Sequence, residues 1–273
     1  MPSKKQMCVG IGGFGAIGMA VGRALDNGEL PGLKLAGVSA NDKDAAAKRM
    51  GDYHSPAPVV SLTELSDLAE VVIECAPADV FREVAEAAVE KGRVFMPLSC
   101  GQLLGHMDLV ERAELTGARI LVPTGALLGL DAVRGAAEGE IQSVTMVTRK
   151  PPGGLEGAPH LIENDIDVSN LLEPMMVFEG SARGAVKGFP ANVNVAVALS
   201  LAGIGPDRTT IQVWADPSVN RNTHTIKVEA SSVRFEMTIE NVPSQENPRT
   251  GALTPLSTIA ALRGLVQPLR IGT

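Results

Sequence analysis

Aromatic side chains make up only 3% of this 273-residue chain, with a single Trp, and there are only four His. Residue types that scarce carry information wherever they stand in a polar cluster. The chain also has no block of Lys and Arg, and its formal net charge is -7. That balance argues against a nucleic-acid backbone or an anionic membrane as the main partner. No stretch approaches the roughly 18 consecutive apolar residues of a membrane span, and MPSKKQM at the start leads into a strand pattern without an apolar h-region. The expectation is a cytoplasmic protein. The three cysteines, Cys8, Cys75 and Cys100, show no CxxC spacing. They read as reduced thiols rather than disulfide partners or metal ligands, and no metal is expected.

What is present is an ordinary globular composition, 45% hydrophobic and 20% charged, with 29 Gly. The length exceeds the roughly 100 to 200 residues of one domain, so two are expected. From residue 6 to 122 short apolar runs (QMCVGI, LKLAGVS, VVIECA, RVFMPLS, RILVP) alternate with amphipathic helical patterns. Continuous apolar strands separated by helices predict an α/β, doubly wound Rossmann-type parallel sheet, covered on both faces. Near Gly125 the pattern changes to longer runs of period two, IQSVTMVTRK, TTIQVWADP, THTIKVEA and VRFEMTIEN. These predict a second, α+β domain with a mostly antiparallel sheet. The expected division is residues 1–125 and 126–251, with a final helix over 252–273 packing back on the first domain.

VGIGGFGAIGMAVGRAL holds two overlapping GxGxxG readings, Gly10-Gly12-Gly15 and Gly13-Gly15-Gly18. Glycine there permits the tight strand-to-helix turn and the approach of backbone to a pyrophosphate, which the helix N-terminus attracts. The second register is favoured because it sets Gly18 inside the helix, against the sheet. Gly13, Gly15, Ala16, Ile17 and Gly18 are therefore the cofactor-binding candidates. At the end of the second strand, where NAD-specific folds carry a carboxylate for the ribose, stand Ser39, Ala40 and Asn41, with Lys43, Lys48 and Arg49 just beyond. The missing carboxylate opens the site to NADP as well as NAD. The three cations fit a solvated helix face and a phosphate contact equally well.

The blocks FMPLSCGQLL, VPTGALLGLDAVRGA, TRKPP, PANVNVAVALSLAG, ADPSVNRNTH and ENPRTGALTPLSTIAALR, in this order and spacing, resemble the L-aspartate dehydrogenase family over nearly the whole chain. The resemblance implies reversible oxidation of L-aspartate to iminosuccinate, which then gives oxaloacetate and ammonia or feeds NAD biosynthesis. It places the active-site histidine at His224 and nicotinamide-side contacts at Ala126 and Asn194, and it implies a homodimer built through the second domain. The residues by themselves say less. A histidine with a pKa near the working pH suits removal of a proton from an amine, yet a lone His beside a strand is more often structural. Asn192 reads as a helix N-cap, and Asn194 lies inside the helix. Asp131 suits either a helix start or a partner for a base. Arg149, Lys150 and Arg221 are candidate clamps for the substrate carboxylates, and the first two fit strand-end charges as well. Two other functions remain open on sequence grounds: a related two-domain reductase for another amino acid, imine or aldehyde, and a dinucleotide sensor without catalysis.

Overall fold

The computed structural model describes residues 6–190, 193–244 and 251–272; Asn192 lies outside them. The chain divides into two compact units, one running up to Gly125 and resuming over Thr254–Arg270, the other spanning Ala126–Leu253 with the chain end from Ile271.

The first unit is built on five parallel strands, β1 (Met7–Gly12), β2 (Leu33–Ser39), β3 (Val71–Glu74), β4 (Val94–Pro97) and β5 (Arg119–Ile120), in the order β2-β1-β3-β4-β5. Helices α1 (Ala16–Asp26), α2 (Lys43–Met50), α3 (Leu65–Leu68), α4 (Phe81–Glu90) and α5 (Asp108–Thr116) connect them. All four residues of β3 are buried, as a strand covered on both faces requires. Short polar devices set the helix ends: Asp42 caps α2 by accepting from Ala45 N at 2.9 Å. Strand order reverses between β1 and β3, so the carboxyl ends of these two strands flank the crevice where open α/β sheets bind ligands.

The second unit carries a mixed sheet of β6 (Ile141–Lys150), β7 (Met175–Ser181), β8 (Thr209–Ala215), β9 (Thr223–Ala230) and β10 (Arg234–Glu240), in the order β10-β9-β6-β8-β7. Three of its pairings are antiparallel, and β6 runs parallel to β8. The helices of this unit are α6 (Leu130–Ala137), α7 (Pro159–Glu163), α8 (Ala182–Gly188) and α9 (Val193–Ala202). Alternation along β8 is strict, each second residue from Thr209 to Ala215 being buried. Sequence pattern overlooks β7, which is an edge strand with a bulge between Met176 and Phe178. The bulge breaks the period of two on which recognition of a strand depends.

The last helix, α10 (Leu253–Val266), places Leu262 at 0% exposure in the core of the first unit, with Ile259, Ala261, Leu265 and Val266 packed against the same cluster. A side chain buried so completely contributes about 2 kcal/mol. The helix is shorter than the segment 252–273, because Pro268 disfavours helical backbone at Gln267. Among the described residues no helix is long and apolar enough to cross a membrane.

Candidate functional site

In the first unit, the turn from β1 into α1 depends on its glycines in three different ways. Gly13 has φ +104°, and a Cβ there would lie 2.3 Å from the Cys75 carbonyl oxygen. Gly18 sits in α1, where a Cβ would lie 2.1 Å from the Gly13 carbonyl oxygen. Gly15 is the opposite case: it is exposed, caps α1 with φ -89°, and an added Cβ would meet nothing within 4 Å. Two glycines are thus required by the fold of the turn, while the third keeps open space above the first turn of α1. Ala16 and Ile17, partly exposed, begin that turn, whose N–H groups have no intrahelical partners. A bare backbone cradle at a helix N-terminus fits a pyrophosphate. The turn is pinned to β2 by Gly13 N donating to Ser39 O at 2.9 Å. Of the cations beyond β2, Arg49 reaches back so that its Nη1 donates to Phe14 O at 3.1 Å. Lys43 and Lys48 stay exposed.

In the second unit, one face of the sheet is apolar along most of its length and turns polar at one end. On β6 the buried residues Val144 and Met146 give way to Thr148 and Lys150. Directly across from Thr148 on β9 is His224, and its Nδ1 lies 3.0 Å from Thr148 Oγ1. With Nδ1 engaged, Nε2 is the nitrogen left to meet another group. His224 is 4% exposed and Lys150 5%. Burial pushes the His224 imidazole down to about 4, and the Lys150 ammonium adds to the shift. Burial likewise pushes the Lys150 ammonium down to about 8. A buried ammonium thus stands beside a neutral imidazole, with no carboxylate paired to either among the described residues.

Arg149 does not join them. Side chains alternate across a strand, and Arg149 lies on the opposite face, its guanidinium 4.8 Å above the Trp214 ring and its Nη1 2.8 Å from Asp216 Oδ2. Asp216 is itself buried, which alone would raise its carboxyl, but hydrogen bonds from Ser218 and Arg149 hold it below the usual range. The Arg149–Asp216 pair therefore fastens β6 to the turn after β8. Arg221 is half-buried, and its Nε donates to Asn220 Oδ1 at 3.2 Å. Asn241, after β10, donates its N–H to Asn222 O at 2.9 Å and so ties down the segment that precedes His224. A Cβ at Gly251 would lie 3.4 Å from Asn241 Oδ1 and 3.5 Å from Ala126 Cβ, which brings Ala126 to the same end of the sheet. Asn194 is exposed on α9, and Asp131 is exposed in the first turn of α6. The other histidines are engaged: His54 with Asp26 at 3.1 Å, His106 with Gln102 O at 2.8 Å, and His160 edge-on to Phe178.

Thr148 escaped sequence reading, although its place two residues before Lys150 on an alternating strand was the available signal. Glu74 escaped it as well. A carboxyl at the end of the otherwise apolar run VVIE was the mark it left.

Two family models cover nearly all of the chain: one described as "Homoserine dehydrogenase, NAD binding domain" over residues 13–123, and one described as "Aspartate dehydrogenase, C-terminal" over residues 131–265. The chain is 51% identical to an L-aspartate dehydrogenase of Bradyrhizobium diazoefficiens, over 99% of this chain and 96% of that one. It is 50% identical to L-aspartate dehydrogenase 3 of Bordetella bronchiseptica over the full length of both. Among solved structures it matches an aspartate dehydrogenase of Thermotoga maritima with a TM-score of 0.74 at 23% identity, covering 98% of this chain and all of the other.

Proposed function

As the chain belongs to the L-aspartate dehydrogenase family, we propose that it oxidises L-aspartate reversibly to iminosuccinate with NAD or NADP, and that His224 is its proton-transfer residue. The observation that carries the site assignment is the buried pair of His224 and Lys150 at the polar end of an apolar sheet face. Bound at the glycine turn, the nicotinamide cofactor supplies the hydride acceptor. Gly13, Gly15, Ala16, Ile17 and Gly18 would hold its pyrophosphate, and Ala126 and Asn194 would meet its nicotinamide side.

The reaction removes a hydride from Cα and a proton from nitrogen, so the substrate ammonium must first become an amine. His224, kept unprotonated by its burial, has a lone pair at Nε2 to take that proton while Thr148 holds the ring. The two carboxylates of the substrate bring negative charge beside the imidazole and raise its basicity toward the working pH. Lys150 faces one of these carboxylates, offsetting the cost of its own burial. Arg221, whose hydrogen-bond partner among the described residues is the neutral Asn220, serves the other carboxylate, whereas Arg149 is committed to Asp216. Once the imidazolium has passed its proton to solvent, the same base activates water toward the imine, which gives oxaloacetate and ammonia; without that hydrolysis iminosuccinate leaves intact for use in NAD biosynthesis. The enzyme works as a cytoplasmic homodimer formed through the second unit, a reading supported by Met175 and Met176, which lie exposed on the edge strand β7.

The test is NADH formation with L-aspartate and NADH consumption with oxaloacetate plus ammonium, for the wild type and His224→Ala. The variant is expected to lose at least about 100-fold in kcat, the scale of general acid-base catalysis. Full activity in His224→Ala removes the residue from the chemistry; cofactor binding without turnover of either substrate by the wild type refutes the aspartate assignment.

A further inference from the structure

Glu74 ends β3 at the strand-order reversal and is 0% exposed. On one side its register partner is Gly12, and the next residue is locked to the glycine turn: Cys75 N donates to Gly12 O at 2.8 Å, and the Cys75 thiol to Gly13 O at 2.9 Å. On the other side the carboxylate reaches the loop leaving β4. Oε1 accepts from Ser99 Oγ and from Ala76 N, each at 3.0 Å, and Oε2 accepts from Ser99 N at 3.0 Å. Both oxygens face donors, so the position requires a group that only accepts. An ionised carboxylate meets that requirement. An amide sets its NH2 against an N–H in either orientation, and a protonated acid either does the same from Oε2 or, from Oε1, reverses the Ser99 hydroxyl and leaves the Ala76 N–H a weaker, uncharged acceptor.

We propose that Glu74 is a positioning residue that clamps the loops after β3 and β4 into the shape that receives the dinucleotide, and that proton uptake by this carboxyl releases the clamp. The inference rests on cofactor binding at the glycine turn, since those two loops and that turn border one crevice. Burial pushes the Glu74 carboxyl up to about 7 in spite of the donors around it, so release falls near neutrality. The adjacent Cys75 thiol is pushed well above its ordinary value by burial and then by the Glu74 charge, and it stays protonated throughout. Among the described residues no ion pair is formed by Glu74 with a Lys, Arg or His.

The experiment is NADH affinity, followed by its fluorescence, for the full-length protein between about pH 6 and pH 8. NADPH is unsuitable because a phosphate monoester titrates near pH 6. Wild-type affinity is expected to rise roughly tenfold across this range, the factor for one hydrogen bond to a charged group. Glu74→Gln, which imitates the protonated form, is expected to bind at the weak acid-limit value at every pH. Ser99→Ala removes one donor and is expected to move the wild-type midpoint upward. A pH-independent affinity in the wild type, or one that falls as pH rises because the carboxylate repels the phosphates, overturns the clamp. Should Glu74→Gln fail to fold by circular dichroism, the Ser99→Ala midpoint decides, and an unmoved midpoint counts against it. Complete absence of NADH binding by the wild type defeats the cofactor reading itself, and the proposal with it.

Discussion

The placement of Lys150 costs the fold stability without an ion pair to offset it among the described residues. Its ammonium is buried beside another basic group, with its pKa lowered from 10.5 to about 8. A folded pKa below the unfolded one disfavours the charged form, so the penalty is fully present at neutral pH and is relieved only as pH rises through 8 toward 10.5. Its size follows from the shift, up to about 3 kcal/mol. Lys150→Met is therefore expected to melt higher than the wild type at pH 7 while losing most of its activity, which thermal denaturation and a turnover assay measure together. The same ammonium gives a pH signature in binding. Succinate, a dicarboxylate without an amine to titrate, is expected to inhibit about tenfold less per pH unit above 8 as Lys150 loses its proton. Constant inhibition up to about pH 10 would separate Lys150 from carboxylate recognition. His224 follows the same sign in a lower window: its folded value of about 4 lies below 6.5, so it costs no stability above 6.5 and destabilises the fold progressively as pH falls toward 4.

At the scale of elements, pairing register decides what the site contains. Thr148 lies opposite His224 because β6 and β9 align antiparallel in that register, and a slip by one residue would send His224 to the face that carries Arg149. The glycine turn offers a sharper contrast, because its glycines are required for different reasons. Gly18→Ala drives a Cβ to 2.1 Å from a backbone oxygen and is expected to destabilise the first unit by more than about 3 kcal/mol. Gly15→Ala has open space and an ordinary φ, so its melting temperature should stay within about 2 °C of wild type while NADH binding weakens roughly tenfold where the methyl meets the pyrophosphate. Equal losses of stability in both variants, measured by thermal melting, would contradict that division of labour.

At the scale of the whole molecule, the end of β2 is the expected determinant of NAD against NADP use. Ser39 is buried and gives its carbonyl to Gly13, and no carboxylate follows it until Asp42, whose side chain caps α2. Arg49 is drawn over the glycine turn by its bond to Phe14 O. Catalytic efficiencies with NADH and NADPH are therefore expected to lie within roughly tenfold of one another, and Arg49→Ala should depress the NADPH value more than the NADH value. Steady-state kinetics with both cofactors checks this; a preference for NADH of about a thousandfold would show that the absent carboxylate does not govern the choice.

The character of the two sheets was legible in the sequence because local chemistry fixes it: apolar runs such as VVI require a sheet buried on both faces, and strict alternation in TTIQVWA requires one face buried. The glycine turn was legible for the same reason, since Gly13 and Gly18 answer to contacts within a few residues of backbone or across one neighbouring strand. The edge strand β7 was hidden by its bulge. Which polar residues meet was not written locally at all. Thr148 and His224 stand 76 positions apart, Arg149 and Asp216 67 apart, and Glu74 and Ser99 25 apart. Strand register and burial join the first pair at the candidate site, turn the second away from it, and give the third its neutral-range carboxyl, because dielectric and hydrogen-bond partners are properties of the folded chain.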